Sequence, residues 1–292
     1  MEASSDPAAR LLREADHYMD INRLEEARAR YLEVLGQRPE DGYLHYRVGY
    51  CLYRMGEYAQ AAVHCQEAIA NGYAQATCYV VLGLTWRLQH KVALAEETFR
   101  KGLALHPASP NLLAQLAYLL WRQERYKEAR QLIGEARALD PNHQTVLYYA
   151  YHMTPRRGRR SEAPVLIESY MQTNATEIDK KLFIVNDLIR TGRYRQAREE
   201  CREAFVLDPL NRRVRDKMAD IDFLCHPVNW PNRVMTRVGA GTAMVIVLVL
   251  VFVSQIFNTY LVGWLLALLY AWARLAPRIY AHVKSIWKGR RS

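Results

Sequence analysis

The sequence predicts an all-α fold: an α-solenoid of about six helical pairs with a capping helix, followed by a transmembrane helical hairpin. Two observations predict the solenoid. Positions 34 residues apart hold alanine six times in succession, and four prolines share a second register of the same period. Repetition at a fixed period of this length is typical of stacked helical units. A third observation, a stretch of 36 residues without a charged side chain, predicts a membrane-spanning segment.

The near repetition of two segments shows the period directly. GEYAQAAVHCQEAI begins at Gly56 and GRYRQAREECREAF begins at Gly192, 136 residues or four periods later. The alanine column comprises Ala27, Ala61, Ala95, Ala129, Ala163 and Ala197, and the proline column includes Pro39, Pro107, Pro141 and Pro209. A small side chain lets two helix backbones approach closely, whereas proline ends a helix. Each period therefore predicts a pair of packed helices.

Leu82-Gly83, Ala95, Phe99 and Pro107 occur at the spacing of one complete unit. This pattern resembles the tetratricopeptide repeat, a helix–turn–helix unit. The resemblance places units at residues 8–41, 42–75, 76–109, 110–143, 144–177 and 178–211, with a capping helix at 212–225, in a repeat region of 1–225.

The fifth unit departs from the pattern because TPRRGRRSEAP replaces the expected helix end and turn. Pro155 would end the first helix of this unit early, so we expect a degenerate repeat there. The arginine-rich segment at 154–161 could bind an anion or form a solvated loop, and the sequence leaves both open.

Charge and cysteine content narrow the range of partners and compartments. Six of the ten net positive charges lie in the last 19 residues, so the repeat region is only mildly basic and a nucleic-acid partner is not expected. Cys65 and Cys201 fall at the same position of the repeat, where a small buried side chain is expected. Five cysteines without a CxxC pair indicate a reducing compartment.

Motifs for catalysis and for cofactor binding are missing from the sequence. There is no HExxH, no GxSxG and no phosphate-binding glycine loop, and no pair of histidines has metal-ligand spacing. We therefore expect no catalytic residue, no metal and no cofactor, and a protein that is not an enzyme. Function is then expected on the surface of the repeats.

The uncharged stretch at 238–273 follows a stiff linker at 226–237. As one helix it would span about 54 Å, against about 30 Å of hydrocarbon in a bilayer. A hairpin turning near 257–259 fits better, although a single pass, or a single pass with an interfacial helix, remains an alternative. The basic residues on the two sides are Arg233, Arg237, Arg274, Arg278, Lys284 and Lys288. A hairpin keeps all of them, the repeats and both termini on the cytoplasmic side.

The tail at 274–292 interleaves apolar and basic residues at helical spacing. This pattern predicts a basic amphipathic helix on anionic lipid headgroups, and the alternative is a simple stop-transfer flank. Membrane lipid is therefore an expected partner, and self-association through the apolar hairpin is possible in principle.

The resemblance also implies a binding site, because in this family the first helix of each unit lines a concave groove. Carried over to this chain, the groove positions are Tyr43, Tyr46, Tyr50, Tyr53, Tyr118, Trp121 and Tyr148, flanked by Arg47, Arg87 and Arg122. Aromatic residues at helical spacing can instead belong to a core, but Val48, Leu52, Leu116 and Leu120 already fill the core positions of these units. The aromatic wall is typical of a surface that binds a peptide or a helix.

One subtype of the family binds chaperone C-termini through a clamp of lysine, asparagine and arginine, and the corresponding positions of this chain do not match it. The sequence therefore favours a membrane-anchored adaptor that recruits a partner protein of unspecified identity. An alternative is a membrane-shaping protein or a subunit of a membrane complex, in which the hairpin and basic tail carry the function and the repeats are structural.

Overall fold

The computed structural model describes residues 7–154 and 162–225, together with the isolated Ala271. These ranges contain thirteen α-helices and no strand, which confirms the all-α class. The linker at 226–237, the tail at 274–292 and, apart from Ala271, the segment at 238–273 lie outside the described residues. No helix among the described residues combines the length and the apolar character needed to span a bilayer.

The helices follow one another with short connections. In chain order they are α1 (Pro7–Asp20), α2 (Leu24–Leu35), α3 (Gly42–Met55), α4 (Tyr58–Ala70), α5 (Ala76–Leu88), α6 (Val92–Leu105), α7 (Pro110–Arg122), α8 (Tyr126–Leu139), α9 (Gln144–Met153), α10 (Ala163–Met171), α11 (Glu177–Arg190), α12 (Tyr194–Leu207) and α13 (Arg212–Cys225).

The chain divides into two compact units, with α1–α10 in residues 1–176 and α11–α13 in residues 177–292. In the first unit, α1 packs on α2, α3 on α4, α5 on α6, α7 on α8 and α9 on α10. The first helices of successive pairs also pack side by side, from α3 through α5 and α7 to α9. In the second unit, α12 packs against both α11 and α13.

The alanine column lies at the contact between the two helices of each pair. Five of its six members have no exposed surface and Ala163 is 8% exposed, which confirms the expectation from the repeat. The facing helix supplies a second small position in two pairs. A Cβ added to Gly83 would lie 2.3 Å from the Phe99 ring, and one added to Gly49 would lie 2.9 Å from the Cys65 sulfur. Such distances leave no room for a side chain.

The fifth pair has a large residue at the corresponding contact position. Tyr151 is fully buried at the position that corresponds to Gly83, two periods earlier. Its helix α9 has 10 residues and its partner α10 has 9, whereas the helices of the other pairs have 12 to 14. A large side chain at the contact position and shorter helices distinguish this pair from the preceding ones. Pro164 lies in the first turn of α10, where proline is tolerated.

The turn inside five of the six pairs also repeats with this period, and the turn of the fifth pair lies outside the described residues. The residue that adopts a left-handed conformation recurs at multiples of 34 residues, at Asn22, Gly56, His90, Glu124 and Gly192. In each turn the N–H of the next residue donates to the carbonyl oxygen five residues earlier, as from Arg125 to Leu120 at 3.0 Å. This hydrogen bond caps the helix C-terminus and reverses the chain. Glycine adopts that conformation freely and asparagine tolerates it, whereas His90 and Glu124 are strained there.

Candidate functional site

Five tyrosines form a chain of ring contacts on α3 and the loop that follows α4. We call Tyr43, Tyr46, Tyr50, Tyr53 and Tyr73 the first tyrosine cluster. Tyr73 lies between two members, with ring centroids 5.6 Å from Tyr43 and 5.1 Å from Tyr46. Stacked contacts then run from Tyr46 to Tyr50 at 6.2 Å and from Tyr50 to Tyr53 at 6.5 Å. Four of these five residues are positions expected from the sequence.

The first tyrosine cluster is half-buried rather than fully displayed. Tyr43 is 39% exposed, while Tyr46, Tyr50 and Tyr53 have intermediate exposure and pack against buried residues of adjacent helices. Burial raises the pKa of Tyr46 to about 12. Each ring therefore contributes one edge to the core and leaves another edge in contact with solvent.

The two arginines beside this cluster have partners within the protein. The Arg47 guanidinium forms an ion pair with Asp16, and its Nε donates to the Tyr31 hydroxyl at 2.9 Å. Tyr31 in turn donates to Asp16, and burial followed by that contact raises the pKa of Tyr31. Nη2 of Arg54 donates to the Asn22 side-chain oxygen at 2.6 Å. Both cations therefore connect α3 to the first helical pair.

A second group of rings lies on α7 and α9. We call Tyr118, Tyr148 and Tyr149 the second tyrosine cluster. Tyr118 stacks on Tyr149 at 4.6 Å, and Tyr148 meets Tyr149 at 5.2 Å and His152 at 4.4 Å. The buried Tyr149 hydroxyl donates to Oε1 of Gln115 at 2.7 Å. Burial raises the pKa of Tyr149 to about 12, although the positive charge of Arg87 acts in the opposite direction.

Arg87 and Arg122 both contact the ring of Tyr118. The Arg87 guanidinium carbon lies 5.6 Å from the ring centroid, and Nη1 of Arg122 lies 3.5 Å from the hydroxyl oxygen. Arg87 belongs to α5 and Arg122 ends α7, so two helices supply the two cations. Apart from Tyr73, the tyrosines of both clusters lie on α3, α7 and α9. We call the surface formed by the first helices α3, α5, α7 and α9 the first-helix face.

Trp121 has a different neighbourhood from the other expected residues. Its ring makes an edge contact with Tyr126 at 4.7 Å, and the Arg130 guanidinium lies 6.0 Å from it. It also lines a cleft of about 270 Å³ bounded by α7, α8, α9 and α10. Its lining combines the apolar Ile133 and Leu166 with the charged Arg130, Arg137 and Glu162.

The remaining candidates are the repeat cysteines, possible metal ligands and the membrane-surface residues. Cys65 and Cys201 are fully buried, as expected, and burial raises the pKa of the Cys201 thiol to about 11. Between residues 7 and 225, with the gap at 155–161, no three histidine, cysteine or acidic side chains could together hold a metal ion. The six membrane-surface residues Arg233, Arg237, Arg274, Arg278, Lys284 and Lys288 lie outside the described residues.

Two ring residues of the clusters were not among the positions taken from the sequence. Tyr73 occupies a position of the proline column, so a tyrosine in place of the repeated proline was the available signal. Tyr149 follows Tyr148 directly and is 7% exposed. Its role depends on the hydrogen bond to Gln115, which lies 34 residues earlier, and only the structure shows that contact.

Family models described as tetratricopeptide repeat match residues 12–76 and 87–150 of this chain. Tetratricopeptide repeat protein 21B from Mus musculus is 30% identical over 132 residues, which cover 42% of this chain and 10% of that protein. Type IV pilus assembly protein PilF from Pseudomonas aeruginosa is 24% identical over 161 residues, 54% of this chain and 63% of that protein. The chain thus spans less than two thirds of the length of either relative.

A solved structure with a similar fold is the crystal structure of the APC/C hetero-tetramer Cut9-Hcn1. The TM-score is 0.55 at 15% sequence identity, and the match covers 75% of this chain and 44% of that chain. At this identity the likeness concerns the fold alone.

Proposed function

Because the chain is a tetratricopeptide-repeat protein, we propose that it is a membrane-anchored adaptor whose first-helix face binds a peptide or helix of a partner protein. Repeats of this family mediate contacts between proteins, so a role in protein binding or scaffolding follows from the family. Binding at the first-helix face and anchoring in a membrane are the two further parts of the proposal.

The observation that carries the binding site is the arrangement of rings on α3, α7 and α9. The first tyrosine cluster forms a continuous run of ring contacts, and Tyr43 at its end is 39% exposed. Tyrosine offers a large, rigid contact surface and a hydroxyl that can form hydrogen bonds, and it is enriched where proteins bind one another. Half-buried rings are already fixed by packing, so binding costs little additional side-chain entropy of the tyrosines.

The proposed ligand is an extended segment or an amphipathic helix with apolar anchor residues. Such a segment would place its anchors between the rings of neighbouring first helices. One relative, the type IV pilus assembly protein PilF, is by its name a component of an assembly process. That description supports an adaptor that brings other proteins together.

Membrane anchoring is supported by the sequence at 238–273, where 36 residues carry no charge and basic residues flank both sides. An anchor would confine the first-helix face to the bilayer surface and raise its effective concentration for other membrane-bound proteins. Flotation with lipid vesicles after an alkaline wash tests this part. We expect the full-length protein to float with the vesicles, and recovery in the washed soluble fraction would contradict the anchor.

The binding site is tested with full-length protein in lipid nanodiscs and a display library of random peptides. We expect Tyr43→Ala with Tyr46→Ala to weaken the selected peptides by at least about tenfold, because rings at the centre of an interface carry much of its binding energy. Val63→Ala with Leu94→Ala is the matched control, since both residues are exposed apolar side chains on second helices. Equal losses in the two variants would contradict a site on the first-helix face. If no peptide is retained, the alternative in which the membrane segment carries the function gains support.

A further inference from the structure

Two guanidinium groups contact Tyr118 without a carboxylate beside them. Arg87 lies over the face of the ring and Arg122 reaches its hydroxyl. In residues 7–154 and 162–225, neither side chain forms an ion pair with an aspartate or glutamate, and the buried Nε of Arg87 has no hydrogen-bond acceptor. Most buried N–H groups in proteins have an acceptor, so this one marks a place where an acceptor would be favourable.

Acidic residues elsewhere in the same unit are bound by other arginines. Glu96 accepts from Arg100 and from Arg125, each at 2.8 Å. Burial alone would raise the pKa of Glu96, and these arginines outweigh it so that the pKa is lowered. Arg28 pairs with Glu57 at 3.2 Å across two helical pairs. The fold therefore supplies a carboxylate to these arginines and leaves Arg87 and Arg122 without one.

The surroundings of the two cations show which anion fits. The rings of Tyr118 and Tyr148 border the site, with His152 between Tyr148 and Tyr118 at 4.4 and 6.5 Å. A ligand whose anion binds here also contacts the aromatic surface, and an apolar residue next to the anion in the ligand would cover that surface. A guanidinium offers planar pairs of N–H donors that match the two oxygens of a carboxylate. An acidic side chain next to an apolar anchor meets both conditions.

We propose that Arg87 and Arg122 bind the carboxylate of an aspartate or glutamate in the partner segment, next to an apolar residue that packs on the second tyrosine cluster. This inference rests on the proposed function, because it assigns a specificity to one end of the first-helix face. It predicts that partners carry an acid at a fixed distance from their aromatic or aliphatic anchors.

The test uses the full-length protein in nanodiscs and peptides selected from the random display library. Peptides retained by the wild type should be enriched in aspartate or glutamate next to an apolar residue. Arg87→Gln with Arg122→Gln should weaken such a peptide by about tenfold or more, as should a Glu→Gln change in the peptide. The two changes together should cost little more than either alone, because they remove the same contact.

Arg195→Gln with Arg202→Gln is the control with the same change in net charge, since both arginines are exposed on α12. This control should change affinity by less than about twofold, because exposed charges without close partners contribute little. Arg122→Glu is a second variant at an exposed position, and it should shift the selected peptides from acidic to basic residues. Circular dichroism checks that each variant is folded.

Two results would overturn the inference while the proposed function stands. In the first, peptides need Tyr43 and Tyr46 but show no acidic preference and bind the Arg87→Gln, Arg122→Gln variant unchanged. In the second, inorganic phosphate displaces the peptides far better than acetate at equal ionic strength, which would indicate a phosphorylated ligand. Peptides that bind without any dependence on Tyr43, Tyr46, Arg87 or Arg122, or a failure to select peptides at all, would count against both proposals.

Discussion

The two tyrosine clusters contain similar residues, but the arginines beside them differ in their partners. In the first tyrosine cluster the neighbouring cations are partnered internally, because Arg47 binds Asp16 and Tyr31 and Arg54 binds Asn22. In the second tyrosine cluster, Arg87 and Arg122 contact the ring of Tyr118 and no acid among the described residues neutralises them. The arginines of the first cluster thus connect helices, whereas those of the second lack an acidic partner among the described residues.

This difference would not be evident from residue types. Both clusters place tyrosine and arginine on first helices, and the 34-residue period aligns Tyr50 with Tyr118 and Arg54 with Arg122. What separates them is whether an acidic or amide side chain from the preceding pair lies within hydrogen-bond distance. The comparison predicts that arginine substitutions change stability near the first tyrosine cluster and change binding near the second.

Among single substitutions, the largest expected effect is that of Arg47→Ala on stability. We expect the free energy of unfolding to fall by about 2 kcal/mol, because the change removes the charge-assisted hydrogen bonds that the largely buried guanidinium donates to Tyr31 and Asp16. Arg122→Ala is the matched substitution at the second cluster and should change stability by less than about 0.5 kcal/mol. Chemical denaturation of both variants measures the difference. Similar losses would remove the distinction between the two clusters.

The clusters should behave alike at alkaline pH, since Tyr46 and Tyr149 both have a pKa raised from 10.0 to about 12 by burial. The folded state holds these protons more tightly than the unfolded chain. The resulting stability is fully present below pH 10 and is lost as the pH rises towards about 12, on the order of 2 kcal/mol for each residue. Ultraviolet absorbance of tyrosinate, recorded with unfolding at each pH, measures both quantities. Ionisation of all tyrosines near pH 10 in the folded protein would contradict the burial of these rings.

The second tyrosine cluster has an internal hydrogen bond of its own, which Tyr149→Phe removes. We expect a loss of about 1 to 2 kcal/mol, because Gln115 is 5% exposed and its side-chain oxygen would remain buried without this donor. Tyr43→Phe serves as the control, since Tyr43 is 39% exposed and water can replace any lost contact. Thermal or denaturant unfolding distinguishes the two. A larger loss from Tyr43→Phe would mean that the exposed ring, and not the buried one, has the essential hydroxyl.

The smallest expected effect compares the turns of two helical pairs. Gly56 ends α3 with φ at 86°, and Glu124 occupies the equivalent place after α7 with φ at 66°. Glycine has no Cβ to strain in that conformation, so Glu124→Gly should stabilise the protein by about 0.5 to 1 kcal/mol. Gly56→Ala should destabilise it by a similar amount. Denaturation midpoints test both signs, and a stabilising Gly56→Ala would show that the turn tolerates a side chain.

The repeat made much of the fold predictable. A single alanine column located the contact between the helices of each pair, and all six alanines are buried. The left-handed turn residues were not predicted, because Asn22, His90 and Glu124 replace the glycine that would have revealed the pattern. Only the backbone shows that these different residues occupy the same place. Tyr151, a large side chain at a position that holds glycine in two other pairs, likewise gave no local signal of its full burial.

The site was predictable as a set of positions, whereas its electrostatics were not. Tyr43, Tyr46, Tyr50 and Tyr53 follow from the groove positions that the family resemblance implies, and the structure brings them together with Tyr73. The sequence treated Arg47 and Arg87 as equivalent flanking cations. Their difference depends on Asp16, which is 31 residues from Arg47 in the chain but directly beside it in the fold. A contact between residues so far apart in the chain cannot be predicted by comparing the residues at a single repeat position.

Site-specific photo-cross-linking in intact membranes tests the central claim most directly. A photoreactive phenylalanine derivative would replace Tyr43 or Tyr118 on the first-helix face and, for comparison, Val63 or Leu94 on second helices. If the first-helix face binds a protein segment, positions 43 and 118 will yield adducts with the same partner, and positions 63 and 94 will not. Adducts formed equally from all four positions, or only from positions 63 and 94, would contradict the claim.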